Sequence, residues 1–141
     1  MKLDISAVVY AREQGLEPGE FVRVLDESGL GATRPIDDAD RIGRMLAQAD
    51  LTMTARLAAD GSLVGVARCV TDFSWCCYVS ELAVSAAAQG LGVGRGLIEA
   101  VRRELGPEVS VILLSMPDAA GFYERIGMAR QDDAFAFRRE R

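Results

Sequence analysis

The sequence predicts an α/β (α+β) fold, a mixed sheet with helices on both faces, and three observations carry that reading. Short apolar runs rich in β-branched residues recur among longer stretches of helical period. An Asp60-Gly61 turn joins two of those runs into a hairpin. A glycine-rich loop, Gln89-Gly90-Leu91-Gly92-Val93-Gly94, then leads from an extended run into a helix.

The elements follow in order. Ile5 to Arg12 is apolar and β-branched at its start and reads as the first strand. Pro18 to Leu30 and Pro35 to Gln48 read as helices, with Phe21, Val22 and Leu25 marking the apolar face of the first and Ile36, Ile42, Met45 and Leu46 that of the second. Asp37, Asp38 and Asp40 lack the glutamate that a calcium loop needs, Ala49 standing in its place, and read as acidic residues of a first helical turn. Leu51 to Leu57 and Leu63 to Val70 form the hairpin, and Trp75 to Val84 is a buried strand. Beyond the glycine loop, Leu97, Ile98, Val101 and Leu105 recur at helical spacing until Gly106-Pro107 stops them. Val109 to Met116 is another strand, Ala119 to Ile126 a short helix, and Ala134 to Arg138 a last strand with Phe135 and Phe137 on one face. The order is β-α-α-β-β-β-α-β-α-β, one domain over residues 1–141.

Composition narrows the chemistry. Half of the residues are hydrophobic, enough for a core without disulfides or metals. No apolar run approaches a membrane span and no secretion signal opens the chain, so a cytoplasmic protein with no membrane partner is expected. A net charge of −5 argues against nucleic acid as a partner and is compatible with a cationic amine. Cys69, Cys76 and Cys77 lie in strand-like sequence and read as reduced core residues. Cys76 and Cys77 should point to opposite faces, which argues against a shared metal, and without any histidine a nucleophilic cysteine lacks its usual base.

The loop has the character of an anion cradle. Glycines let a phosphate approach the backbone, and the unpaired amides of a helix start attract it. Spacing excludes two nucleotide motifs. In G-x-G-x-x-G the sixth position is Arg95 or Leu97 instead of glycine, and a P-loop needs a Gly-Lys pair where the only lysine is Lys2. What fits is Q/R-x-x-G-x-G/A, with Gln89, Gly92 and Gly94 in the fixed places. It resembles the acyl-coenzyme A pyrophosphate loop of the GNAT superfamily of N-acetyltransferases. The stretch from Ala119 to Met128 resembles that family's second signature, A-x-x-F-Y-E-x-x-G-F, with Met128 replacing the last aromatic.

The resemblance covers nearly the whole chain and implies a GNAT-like, mainly antiparallel sheet and direct transfer from acetyl-CoA, a cosubstrate, to an amine of a small molecule, protein or peptide, with no metal. Amides from Gly90 to Arg95 would hold the pyrophosphate, with the Arg95 charge in support. Leu82, Ala83 and Val84 would pair with the pantetheine arm where two central strands splay. Tyr123 would donate to the departing thiolate, and a strand amide near Leu82 or Ala83 would meet the thioester oxygen. An alkyl ammonium of pKa ~10.4 must lose a proton before it attacks, and Glu81, the one acid of the central strand, is the candidate base. Asp72 and Trp75 are candidate substrate contacts. Pro117 and Asp118 stand where many relatives carry an asparagine that touches the coenzyme. A non-catalytic acyl-CoA-binding sensor of the same fold is the alternative, a mononucleotide-binding protein is a third reading, and a homodimer stays open.

Overall fold

A computed structural model describes residues 7–141. Among them the chain forms a five-stranded sheet in the order β1-β2-β3-β4-β5, made of β1 (Val8–Arg12), β2 (Leu51–Leu57), β3 (Leu63–Thr71), β4 (Cys76–Val84) and β5 (Ser110–Ile112). Neighbours are antiparallel except β4 and β5, which run parallel. The helices are α1 (Pro18–Ser28), α2 (Ala39–Gln48), α3 (Val93–Leu105) and α4 (Ala120–Arg125). None among the described residues is long and apolar enough to cross a membrane. Ile5 and Ser6 of the expected first strand lie outside the described residues.

Two apolar layers hold the sheet. On one face Val93, Leu97 and Val101 of α3 pack against Met53, Ala55, Ala67 and Val79. On the other, Phe21, Val24 and Leu25 of α1 and Ile42 of α2 cover Leu63, Val66 and Ala83. Gly65 lets α3 lie directly on β3, because a Cβ there would stand 3.0 Å from both Leu97 Cδ1 and Val93 Cγ1. Cys69 and Cys77 are buried whereas Cys76 is exposed, so only two of the three cysteines are core residues. Cys76 and Cys77 do face opposite ways, as strand alternation requires.

The helix ends differ from the sequence reading for local reasons. α1 stops at Ser28 because Gly29 turns left-handed at φ 88°, and a 3-10 turn over Leu30–Thr33 follows. α2 starts at Ala39, since Asp38 Oδ1 accepts the Arg41 N–H at 3.0 Å and caps it. The larger correction is at the C-terminus. Ala134 to Arg138 forms no strand, and Phe135 and Phe137 are 94% and 106% exposed. Alternation sets which face a strand would show, but a strand also needs a partner's ladder. β5 offers little: it pairs for three residues and then veers through Leu113 to Met116 into a 3-10 turn at Pro117–Ala119.

Candidate active site

The glycine loop divides into two functional pairs. Gly90 and Gly92 adopt φ of 77° and 86°, and nothing lies within 4 Å of a Cβ placed on either. Side chains are therefore disfavoured on backbone grounds, and the space beside both glycines is open. Gly92 caps α3, whose ladder begins where Gly96 N–H donates to Gly92 O at 3.0 Å. The N–H groups of Val93, Gly94 and Arg95 are thereby left without helical partners, at the positive end of a 13-residue helix with no acid in its first turn. Gly94 and Gly96 serve packing instead. A Cβ on Gly94 would meet Phe122 Cζ at 3.0 Å, and one on Gly96 would collide with the Tyr10 hydroxyl.

That contact at Gly94 ties the two sequence signatures together. Phe122 seats α4 on the start of α3, and its ring meets Tyr123 edge to face at 5.1 Å. The glycine of the A-x-x-F-Y-E-x-x-G signature ends the helix. Gly127 takes φ 96° and donates to Glu124 O at 3.1 Å, while Met128 N–H donates to Tyr123 O at 3.0 Å, a Schellman closure. Tyr123 is half-buried, and among the described residues its hydroxyl makes no hydrogen bond. Burial pushes its pKa above the ordinary tyrosine value, so it is a neutral donor at pH 7.

Between the signatures β4 opens a gap. It pairs with β5 only from Cys76 to Tyr78, and toward Val84 that edge has no neighbouring strand among the described residues. Ser85 N–H donates to Val64 O at 2.9 Å, so strand alternation turns Glu81 and Ala83 toward β3 and Ser80, Leu82 and Val84 toward the gap. Two of the gap-facing carbonyls are taken. Arg34 Nη2 donates to Ser80 O at 2.7 Å and Gln89 Nε2 to Val84 O at 2.9 Å. Leu82, between them, presents both N–H and C=O to the gap. Ala83, its side chain buried under α1, is not available to a ligand there.

A cavity of about 510 Å³ runs through the gap. Gln89, Gly90, Gly92, Val93 and Gly94 of the loop line it together with Leu82, Val84, Leu114, Phe122 and Tyr123, as do Ser28, Gly29, Leu30 and Arg34 from the segment after α1. Asp118, at the position that departs from the family pattern, also lines it, as does Arg125. Several expected residues lie elsewhere. Leu91 is exposed outside the lining, and Arg95 points to solvent in an ion pair with Glu99 at 3.1 Å. Gln89 spends its side-chain amide on Val84 O and acts as a brace that fixes the loop to β4. Asp72 holds the β3–β4 turn, its Oδ1 accepting the amides of Ser74, Trp75 and Cys76 at 3.0, 2.8 and 3.2 Å. Trp75 is 77% exposed on that turn, and neither residue borders the cavity.

Glu81 is buried behind β4 in a charged cluster. Its Oε2 accepts Arg34 Nε at 2.7 Å and Ser80 Oγ at 2.8 Å, and its Oε1 accepts Arg68 Nε. Arg68 reaches further, to Met45 O at the end of α2. Burial alone would raise the Glu81 pKa, but the hydrogen bonds and charge of Arg68, with the bonds from Arg34 and Ser80, outweigh it and hold the carboxyl below its ordinary value. A carboxylate with both oxygens engaged by guanidiniums is a poor proton acceptor. Arg34 is the partner that sequence reasoning missed, because its 47-residue separation from Glu81 carries no local signal.

A helix start opened by two left-handed glycines, a gap between parallel strands and a half-buried tyrosine beside it thus border one cavity. Comparison with known proteins gives the family. The acetyltransferase (GNAT) domain family matches residues 27–139, and the chain belongs to it. Serotonin N-acetyltransferase 2, chloroplastic, of Oryza sativa subsp. japonica is 31% identical over 134 residues, 90% of this chain, and the chain spans 65% of that protein's length. A candidate acetyltransferase of Deinococcus radiodurans R1 superposes with a TM-score of 0.75 at 26% identity, over 98% of this chain and 94% of that one. An aminoglycoside N-acetyltransferase solved with CoA gives a TM-score of 0.70 at 16% identity, over 94% and 95% of the two chains, a likeness of fold.

Proposed function

We propose that this chain moves an acetyl group from acetyl-CoA directly to a primary amine of a small molecule, protein or peptide. The observation that carries the reading is one cavity lined by the start of α3, the Leu82 edge, Tyr123 and Arg34. Bound acetyl-CoA supplies a thioester whose carbonyl carbon accepts the amine. The residues fit that ligand. Val93, Gly94 and Arg95 offer their amides to the pyrophosphate beside the open space at Gly90 and Gly92. Leu82 offers its C=O to an amide of an extended chain and its N–H to the developing oxyanion.

The amine nitrogen forms the new C–N bond, the C–S bond breaks, and Tyr123 gives its proton to the departing sulfur before recovering one from solvent. The amine's surplus proton passes to water. Glu81 takes a different part from the one its sequence position implied. It fixes Arg34 and the bulged backbone at Ser80, and so positions the gap rather than accepting the proton.

Thiol release from acetyl-CoA with a panel of amines tests the reading, serotonin being one to include in view of the rice relative's name. Acetyl-CoA-dependent thermal stabilisation without turnover on any amine would favour the non-catalytic sensor.

A further inference from the structure

The part of the cavity that Arg34 borders meets a charged cluster opposite in sign to the chain as a whole. The formal net charge is −5, yet here two guanidiniums share one carboxylate, Arg34 at 2.7 Å from Glu81 and Arg68 on its other oxygen. Among the described residues no second carboxylate pairs with either, and the cluster carries one positive charge. Arg68 is turned inward, onto Ser80 Oγ and Met45 O, while Arg34 borders the cavity. Ser28, Gly29 and Leu30, which also line the cavity, are uncharged.

Arg34 is held like a fixture. Its Nε bonds Glu81, its Nη1 bonds Thr33 O and Oγ1 at 3.3 and 2.9 Å, and its Nη2 bonds Ser80 O. Of the five N–H groups of a guanidinium, these contacts leave one on Nη2 for a ligand. The side chain is 21% exposed, so its charge is only partly screened by water. A rigid, partly desolvated guanidinium repels a plain ammonium and recognises a carboxylate.

We propose that Arg34 selects an acceptor that carries a carboxylate as well as the reacting amine, an amino acid being the simplest such molecule. This deepens the acetyltransferase reading and rests on it. On that reading the coenzyme takes the α3 side of the cavity, and the acceptor's carboxylate docks at Arg34 Nη2 while its amine reaches toward the Leu82 edge.

The test is thiol release from acetyl-CoA with matched amines: an amino acid, its carboxamide and its decarboxylated amine, in sets with aliphatic, aromatic and acidic side chains. In the preferred set, kcat/KM for the acid exceeds that of both partners by roughly ten- to a hundredfold, the range for one charge at close distance in a partly screened site. The carboxamide's amine is the less basic and is better supplied as neutral nucleophile, so a preference for the acid does not come from basicity. The preference shrinks as salt rises toward ~1 M. Arg34→Gln removes it through KM, and Arg34→Lys, which keeps the charge, retains part of it. If Arg34→Gln fails to fold, the salt series on the unaltered protein decides the matter. Carboxamides or decarboxylated amines used as well as the acids would overturn the inference and leave the acetyltransferase reading standing. No thiol release with any amine would overturn that reading, and this inference with it.

Discussion

Replacing Glu81 with glutamine separates a structural carboxylate from a catalytic base. The Glu81 side chain is 1% exposed, and its guanidinium partners Arg34 and Arg68 are 21% and 10% exposed. Removing one member of such a cluster leaves the opposite charges buried and unpaired, at a cost of ~3–5 kcal/mol. Because Arg34 can still reach water, about 3 kcal/mol is the better figure. Unfolding entropy near ~2.1 cal/mol/K per residue gives about 0.3 kcal/mol/K for a chain of this length, so Glu81→Gln lowers Tm by about 10 °C. The carboxyl sits below its unfolded pKa, so its stabilisation is fully present above ~4.3 and is lost as pH falls through the lower folded value. The gap in Tm between the two proteins is therefore level from neutral pH down to about pH 5 and closes only below that. Thermal unfolding across pH, beside initial rates of thiol release, measures both quantities. A Tm within about 2 °C of the parent, joined to a rate loss confined to low pH, would refute this reasoning and restore Glu81 as the base.

The other substitutions probe the loop, the tyrosine and the outlying turn. Tyr123→Phe should lower kcat about a hundredfold while acetyl-CoA affinity holds, as expected for a lost proton donor; an unchanged kcat removes Tyr123 from the reaction. Gly92→Ala forces a side chain into φ 86° at a cost of ~1–2 kcal/mol and crowds the open cradle, so acetyl-CoA binding measured by calorimetry weakens. Gly96→Ala should do the reverse, lowering Tm through its collision with Tyr10 while coenzyme affinity stays close to the parent; equal losses of affinity in the two variants would mean that the glycines share one role. Trp75→Ala should leave both KM values within about twofold, since Trp75 stands outside the cavity, and a large rise in the amine KM would bring the β3–β4 turn back into the site.

The sequence by itself determined the parts of this protein that local chemistry encodes. Hydrophobic period and turn residues marked the strands and helices, and the spacing of Gln89, Gly92 and Gly94 with the Phe122-Tyr123 pair pointed to the family. Tertiary structure decided how those parts divide their work. Gly90 and Gly92 open the cradle while Gly94 and Gly96 admit Phe122 and Tyr10, a distinction invisible along the chain because it depends on what lies opposite each Cα. Leu82 faces the gap and Ala83 does not, because the β3 ladder fixes which amides are already spent. Phe135 and Phe137 alternate as a strand would, yet find no ladder to join. Glu81 reads as a free acid in a line of letters and becomes an anchored one only when Arg34 and Arg68 arrive from other elements. Pairing of charge over such separations is set by the packing of α2 and the β3–β4 register, which no local pattern of residues records.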